Sequence, residues 1–322
     1  MPVSSLSSTL ITHSDIQAAK EIIAGRLHRT PLHSSAWLSE QTGARVSLKL
    51  EVFQKTGSFK PRGVLNRLHH LSPEEKRAGV LTMSAGNHAQ AVAWAAHQEG
   101  LSATVVMPAG AVQSKIEATK GYGGEVILTD GNLLETIQTI QAERGLTLIH
   151  PFDHLHVIAG QATLGQEILE DRPDVDLVIV GVGGGGLISG LAAAIKLARP
   201  TARVVGVEPV GAPTMTQSLE KGSSVYLEKA KTVADGLSAP FVGARNLTHV
   251  KAFVDDLVLV SDEAIVAAMW LILERCKVLA EPAAAATVAA LLSGQISLPP
   301  GGSVVCVLSG GNIDRNRLRQ LG

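Results

Sequence analysis

Cysteine is nearly absent from these 322 residues: there are two, Cys276 and Cys306, each in an apolar setting. So sparse a pair argues against a disulfide scaffold and for reduced, buried thiols in a cytoplasmic protein. An excess of charge is missing too. The formal net charge is −1 and no block of lysine or arginine occurs, so nucleic-acid binding has no electrostatic support. The opening MPVSSLSSTLITHSD holds no Lys or Arg and no continuous apolar run, unlike a secretory leader. Without a leader, the glycosylation pattern Asn246-Leu247-Thr248 carries no weight. No short-period repeat, heptad run or low-complexity linker is present, so composition announces no domain boundary. One uncharged run, Leu177 to Ile195, is long enough to raise the question of a membrane span. The glycines from Gly183 to Gly186 would open its backbone at mid-membrane, and a buried strand, loop and helix fits it better.

What is present is a chain that is 45% apolar and only 18% charged, a composition for folding and not for disorder. Its length allows one large domain or two modest ones. Short, nearly all-apolar runs suggest strands at Val46–Leu50, Val80–Met83, Thr104–Met107, Val126–Thr129, Leu146–His150, Leu177–Val180, Val204–Val207 and Val304–Leu308. Helical patterns such as Asn87–Glu99, Leu133–Arg144 and Leu187–Ala198 alternate with them. Alternation of this kind predicts an α/β fold with parallel sheets buried on both faces by helices. Ser14 with Gln17 reads as a capping box before a first helix. Gly100, Gly145 and Pro200 read as helix stops.

Two segments carry chemistry. In Thr56-Gly57-Ser58-Phe59-Lys60-Pro61-Arg62-Gly63, Lys60 follows an aromatic residue and precedes a proline where a loop enters a helix (Val64 to Leu68). A lysine aimed and partly desolvated there loses its proton more readily, and the neutral amine forms Schiff bases. A surface lysine at a helix start is the commoner case, although a helix N-terminus does not favour a cation. The second segment is Gly181-Val182-Gly183-Gly184-Gly185-Gly186-Leu187, between a strand and a helix. Its amides and the helix N-terminus make an anion site suited to phosphate. Gly181, Gly183 and Gly186 also satisfy G-x-G-x-x-G, and Glu208 ends the next strand, so a dinucleotide-dependent oxidoreductase stands as an alternative. Against it, a long α/β region precedes the glycines, and four in a row suit a single phosphate better than a pyrophosphate.

Taken together, Ser58-Phe59-Lys60-Pro61-Arg62-Gly63, Ser84-Ala85-Gly86-Asn87-His88, the tetraglycine and Ser309-Gly310-Gly311-Asn312 resemble the serine/threonine dehydratase and serine racemase group of fold-type II pyridoxal phosphate enzymes. The resemblance runs from Arg29-Thr30-Pro31-Leu32 to the final motif. It implies two doubly wound parallel-sheet domains with pyridoxal 5'-phosphate in the cleft between them. Residues 1–76 and 151–322 would form the larger domain, and residues 77–150 a smaller, mobile one.

The resemblance also assigns roles. Lys60 would bind the cofactor covalently and act as the base at Cα, and Phe59 would pack on the cofactor ring. Asn87 would contact the ring hydroxyl and Ser309 the pyridine nitrogen, with Glu281 nearby. Gly183, Gly184, Gly185, Gly186 and the Leu187 amide would hold the phosphate. Ser84, Ala85, Gly86, Asn87 and His88 would receive the substrate carboxylate. That last role makes independent sense, because the loop leads into a helix N-terminus. Capping alone would also explain Ser84 and Asn87.

Such an enzyme removes water from a small β-hydroxy amino acid, L-threonine or L-serine, leaving a 2-oxo acid and ammonia. Racemases of the group carry a second acid/base serine where this chain has Ala85, so little racemisation is expected. No arginine at Gly131 to Glu135 is placed to hold a second carboxylate, which leans away from 3-hydroxyaspartate. A non-catalytic ligand sensor is a further alternative.

Relatives often bind a divalent or monovalent cation, to which Glu208 and the Ala212 carbonyl correspond. Thr214 stands where another acid is usual. One carboxylate suits K⁺ better than Mg²⁺ or Ca²⁺, and a solvated strand end is the plain alternative for Glu208. His150, Asp153, His154 and His156 suggest zinc ligands, but His150-Pro151-Phe152-Asp153 matches a loop of the group that has no metal role. A homodimer or homotetramer is usual among such relatives. The long regulatory C-terminal extension of biosynthetic threonine dehydratases has no counterpart after Ser309.

Overall fold

The computed structural model describes residues 9–322. The expectation resting on residues 1–8 lies outside the described residues. Among the described residues ten strands form two sheets: β1 (Leu32–Ser34), β2 (Arg45–Leu50), β3 (Val80–Met83), β4 (Ala103–Pro108), β5 (Glu125–Thr129), β6 (Thr147–Leu148), β7 (Leu177–Gly181), β8 (Arg203–Pro209), β9 (Asp256–Val260) and β10 (Ser303–Leu308). The first sheet has the order β1-β2-β10-β7-β8-β9 and the second β5-β4-β3-β6. All neighbours are parallel except β1, which lies antiparallel on the edge beside β2.

Burial on both faces explains the apolar runs. Every residue of β7 and β10 is buried. One face of the six-stranded sheet lies under the alanine-rich helix Pro282–Leu292, buried from Pro282 to Leu291. The other lies under the helices Leu155–Asp171 and Gly186–Ala198. Each fully buried Val, Leu or Ile contributes about 1.5–3 kcal/mol of transfer free energy, so the sheet centre is where this fold is held. Among the described residues no helix is long and apolar enough to cross a membrane. The uncharged run from Leu177 is a strand, a loop and a helix.

Several local expectations shift. The first helix, His13–Ile23, is capped by Thr12 with Asp15 closing the box, not by Ser14 with Gln17. The run Leu146–His150 gives only the two-residue β6, because the chain turns at Pro151 towards the helix Leu155–Asp171. Lys60 is itself the first residue of a helix, Lys60–His69, earlier than Val64. Cys306 is buried within β10, whereas Cys276 is only half-buried; both are free.

The topology sets the site. Parallel strands bring their C-terminal ends to one edge, where α/β proteins bind ligands. β10 lies between β2 and β7, pairing Leu308 with Leu50 and Cys306 with Ile179. Ser309 therefore emerges between the segment leading to Lys60 and the tetraglycine, although it lies far from both in sequence.

Candidate active site

Main-chain bonds lace the lysine segment to the end of β10. Phe59 N donates to Ser309 O (3.1 Å) and Gly311 N to Gly57 O (2.9 Å), with Ser58 bridged to Gly310. Lys60 then starts its helix with its side chain half-buried. Its Nζ donates to Pro151 O (3.1 Å) and lies 5.1 Å from the centre of the Phe59 ring. Burial lowers its pKa to about 8, with the Glu281 carboxylate opposing the shift. Near neutrality an appreciable share of Lys60 is therefore the free amine.

Beyond Pro151, Phe152 walls the glycine loop. A Cβ on Gly184 would stand 2.3 Å from Cδ1 and Cε1 of that ring. Gly185 has φ +95°, a left-handed conformation that disfavours any side chain. Gly184 O accepts from Asn246 Nδ2 (2.8 Å), which fixes that carbonyl on one side. The first-turn amides from Gly186 and Leu187 onward have no intrahelical acceptor and draw an anion.

The loop Ser84 to His88 joins β3 to the helix Asn87–Gln98. Ser84 Oγ accepts from Gly86 N (3.2 Å). Asn87 is held from both sides: Nδ2 donates to Glu281 Oε1 (2.7 Å), and Oδ1 accepts from Asn312 Nδ2 (2.8 Å), which also donates to Thr56 O (2.7 Å). Burial raises Glu281 to about 7 against the pull of Asn87. His88 donates Nε2–H to Ile149 O (3.1 Å). Burial, with the charge of Lys60, pushes its pKa down to about 3 and keeps it neutral. Ser309 is buried, and its hydroxyl bonds to none of the described residues.

Phe59, Lys60, Asn87, Glu281 and Ser309 thus converge beside the glycine loop, and Ala85 lies in the loop that carries Asn87. Glu208 and Ala212 form a separate arrangement. Glu208 is fully buried, not solvated, and accepts from Met215 N (2.7 Å), Thr216 N (2.9 Å) and Thr216 Oγ1 (2.7 Å). It caps the helix Thr214–Lys221, and burial raises its pKa. His150 and His154 cap turns through Nδ1, and Asp153 accepts from Arg245 N. No group of three or more metal-ligating side chains is found among the described residues.

Two residues on from the lysine, Arg62 centres a charge cluster of which the motifs contain only Arg62 and Thr30. Arg62 is buried with its guanidinium forked onto Glu51 (2.8 Å twice) and Glu167 (2.7 and 3.0 Å). Lys49 Nζ joins Glu167 and Thr30 O (2.7 Å each), and Thr30 Oγ1 donates to Glu51 (2.5 Å). The cluster ties the Lys60 helix to β2 and to the helix that follows Pro151. Pro151 and Phe152 were visible only as part of a loop shared with the group, and Asn246 only in a glycosylation pattern, with no place at the site. Asn312 was visible only as the end of a motif.

A lysine held as a ready nucleophile, beside a cup where a Cβ on Gly184, Gly185 or Gly186 would collide, suits a ligand with an aldehyde at one end and a phosphate at the other. The residues present fit pyridoxal phosphate in that way, and the fold with its site defines an enzyme that uses it. The sequence profile described as pyridoxal-phosphate dependent enzyme matches residues 23–310, and the chain belongs to that family. It is similar to an L-threonine ammonia-lyase of Thermotoga maritima, 46% identical over 97% of this chain and 78% of that one. It is 43% identical to the catabolic L-threonine dehydratase TdcB of Staphylococcus aureus, over 96% of this chain and 91% of that one. Among solved structures, maize serine racemase superposes with a TM-score of 0.91 at 40% identity, covering 95% of each chain.

Proposed function

We propose that this protein removes water from L-threonine or L-serine, giving a 2-oxo acid and ammonia. The observation that carries the reading is the Lys60 amine, lowered to about 8 and held by Pro151 O beside the glycine cup. The relatives named for threonine ammonia-lyase and dehydratase activity support it. Ala85 separates it from the racemase reading, since a methyl group cannot deliver a proton to the opposite face of Cα.

When bound, pyridoxal phosphate supplies an electron sink for the Cα–H bonding pair. The chain's own groups do the rest. Gly183 to Leu187 would hold the phosphate, and Phe59 would pack on the ring. Lys60, as the neutral amine, would take the Cα proton. Ser84, Ala85, Gly86, Asn87 and His88 hold the substrate carboxylate at a helix N-terminus. Asn87, with both ends of its amide fixed, offers its remaining N–H to the ring hydroxyl. Ser309 would give the ring nitrogen an uncharged partner, a weaker sink than a carboxylate would make and one suited to prompt loss of the leaving group.

We take residues 77–150 as the mobile substrate domain. Support comes from their separate sheet. The reading also makes the protein cytoplasmic and a homodimer or homotetramer, to be checked by light scattering. A cation at Glu208 and Ala212 would compete with three hydrogen bonds; an unchanged rate and stability after chelator dialysis and potassium exchange would remove it. The main test is a panel of β-hydroxy amino acids, including 3-hydroxyaspartate, scored for 2-oxo acid, ammonia and D-serine. Threonine and serine should lead, with the holoprotein yellow and its spectrum altered by borohydride. A colourless protein defeats the reading. A yellow one that releases no ammonia is a sensor, and rapid D-serine formation makes it a racemase.

A further inference from the structure

His150 has no assigned part in the chemistry above, yet its position and tautomer are both fixed. It directly precedes Pro151, the residue whose carbonyl holds Lys60 Nζ. Its ring meets Phe152, the wall of the glycine cup, edge-on at 4.7 Å, and Phe241 at 6.3 Å. Nδ1 accepts from two main-chain amides, Asp153 N (2.9 Å) and Phe152 N (3.3 Å). An N–H can only donate, so Nδ1 must be bare and the ring proton must sit on Nε2. Protonating Nδ1 would set its hydrogen against two others. Burial, together with the charge of Lys60, lowers the pKa against the opposing pull of Asp153. The ring is only half-buried, and Nε2 bonds to none of the described residues.

We propose that His150 is a catalytic and specificity-determining residue whose fixed Nε2–H donates to the β-oxygen of the substrate, holding the hydroxyl and steadying the charge that builds there as Cβ–O breaks. The proposal rests on the dehydratase reading. A neutral imidazole N–H is a hydrogen-bond donor and not an acid at these pH values, so His150 keeps its proton throughout. The departing water consists of the β-hydroxyl and the proton withdrawn from Cα, and no further reactant is needed. A donor at this place selects substrates with a β-oxygen.

The test compares two leaving groups on one enzyme. L-Serine loses hydroxide, which needs the hydrogen bond; β-chloro-L-alanine loses chloride, which hardly does; both give the same 2-oxo acid and ammonia. In His150→Asn, the shorter side chain can set Oδ1 where Nδ1 stood, so the two amides keep an acceptor while the Nε2 donor disappears. The ratio of kcat/KM for serine to that for chloroalanine should fall by about 10- to 100-fold, the weight of one hydrogen bond to a developing anion. The cofactor dissociation constant should stay that of the wild type.

A ratio that does not fall, with both substrates slowed together, overturns the proposal. So does a loss of cofactor affinity that accounts for the whole effect, because Nε2 would then be serving the phosphate. Should His150→Asn fail to fold, His150→Gln decides: its amide N–H can reach the Nε2 position, and a collapsed ratio there sinks the idea. A wild-type protein inert towards both serine and threonine would instead defeat the dehydratase reading before any variant is compared.

Discussion

Replacing Arg62 by methionine should destabilise the protein more at neutral pH than in mild acid. The guanidinium makes two bonds to Glu51 and two to Glu167, and both Arg62 and Glu51 are fully buried. The methionine side chain would fill much of the volume but would leave Glu51 with Thr30 Oγ1 and the charge of Lys49 alone. Breaking a buried pair on one side costs about 3–5 kcal/mol. In the wild type, burial pushes the Glu51 carboxyl up, but the charge and hydrogen bonds of Arg62 outweigh it and hold the pKa below the ordinary carboxylate value. That depressed pKa stabilises the fold above the unfolded-state pKa, and the stabilisation is lost as pH falls through the folded value.

The variant reverses the sign. With Arg62 gone, burial dominates and the Glu51 pKa rises, so the acid is favoured when protonated. Its deficit against the wild type should shrink by up to about 1.4 kcal/mol for each pH unit below the new pKa. Urea unfolding of both proteins, saturated with cofactor and followed by circular dichroism at about pH 8 and about pH 5, measures this. Equal deficits at the two pH values, or a deficit under about 1 kcal/mol at the higher one, would refute the reasoning.

Three further outcomes are expected. Lys60 should react with pyridoxal phosphate in the apoprotein with a pH midpoint near its value of about 8, read from the absorbance of the bond formed; a midpoint near that of ordinary lysine, 10.5, would count against a desolvated amine. Gly184→Ala should weaken cofactor binding by roughly 10- to 100-fold, because the added methyl overlaps the Phe152 ring and overpacking costs about 1–3 kcal/mol. Gly184→Ala combined with Phe152→Leu should recover part of that, and unaltered affinity in the single variant would show that the loop yields freely. Ser309→Ala should lower kcat/KM while Lys60 still forms its bond; an undiminished kcat/KM dismisses the pairing of Ser309 with the ring nitrogen.

The sequence exposed features whose signal is local. β-Branched runs between glycines gave β3, β7 and β10 nearly to the residue, and the lysine and tetraglycine motifs marked two walls of the site. What escaped depends on meetings across the chain. β1 is three half-exposed or exposed residues, Leu32 to Ser34, and a polar edge strand has no apolar run to reveal it. The cap at Thr12 is hidden beside Ser14, because two hydroxyl residues two apart both precede a helical pattern. Glu208 could be read as a cation ligand or a solvated strand end, since nothing near it in sequence shows that the Thr214 helix turns its amides back onto the carboxylate. Glu51 and Glu167 carry no local signal, and Arg62 was visible only inside the lysine motif, until β2 and the helix Leu155–Asp171 close around them. The His150-Pro151-Phe152 turn is legible as a loop, while the proton placement on His150 needs atomic neighbours.

The place of β10 also governs the order in which this protein can be assembled. Its partners β2 and β7 are made early and midway, yet no pairing joins them until residues 303–308 slide in between. A nascent chain on the ribosome must therefore carry two apolar strand flanks unzipped until residue 308 has been made, and the pocket for the vitamin-derived group matures only then. A frameshift or stop codon shortly before Ser303 would cost the cell more than a tail: it would release a sticky, half-open sheet.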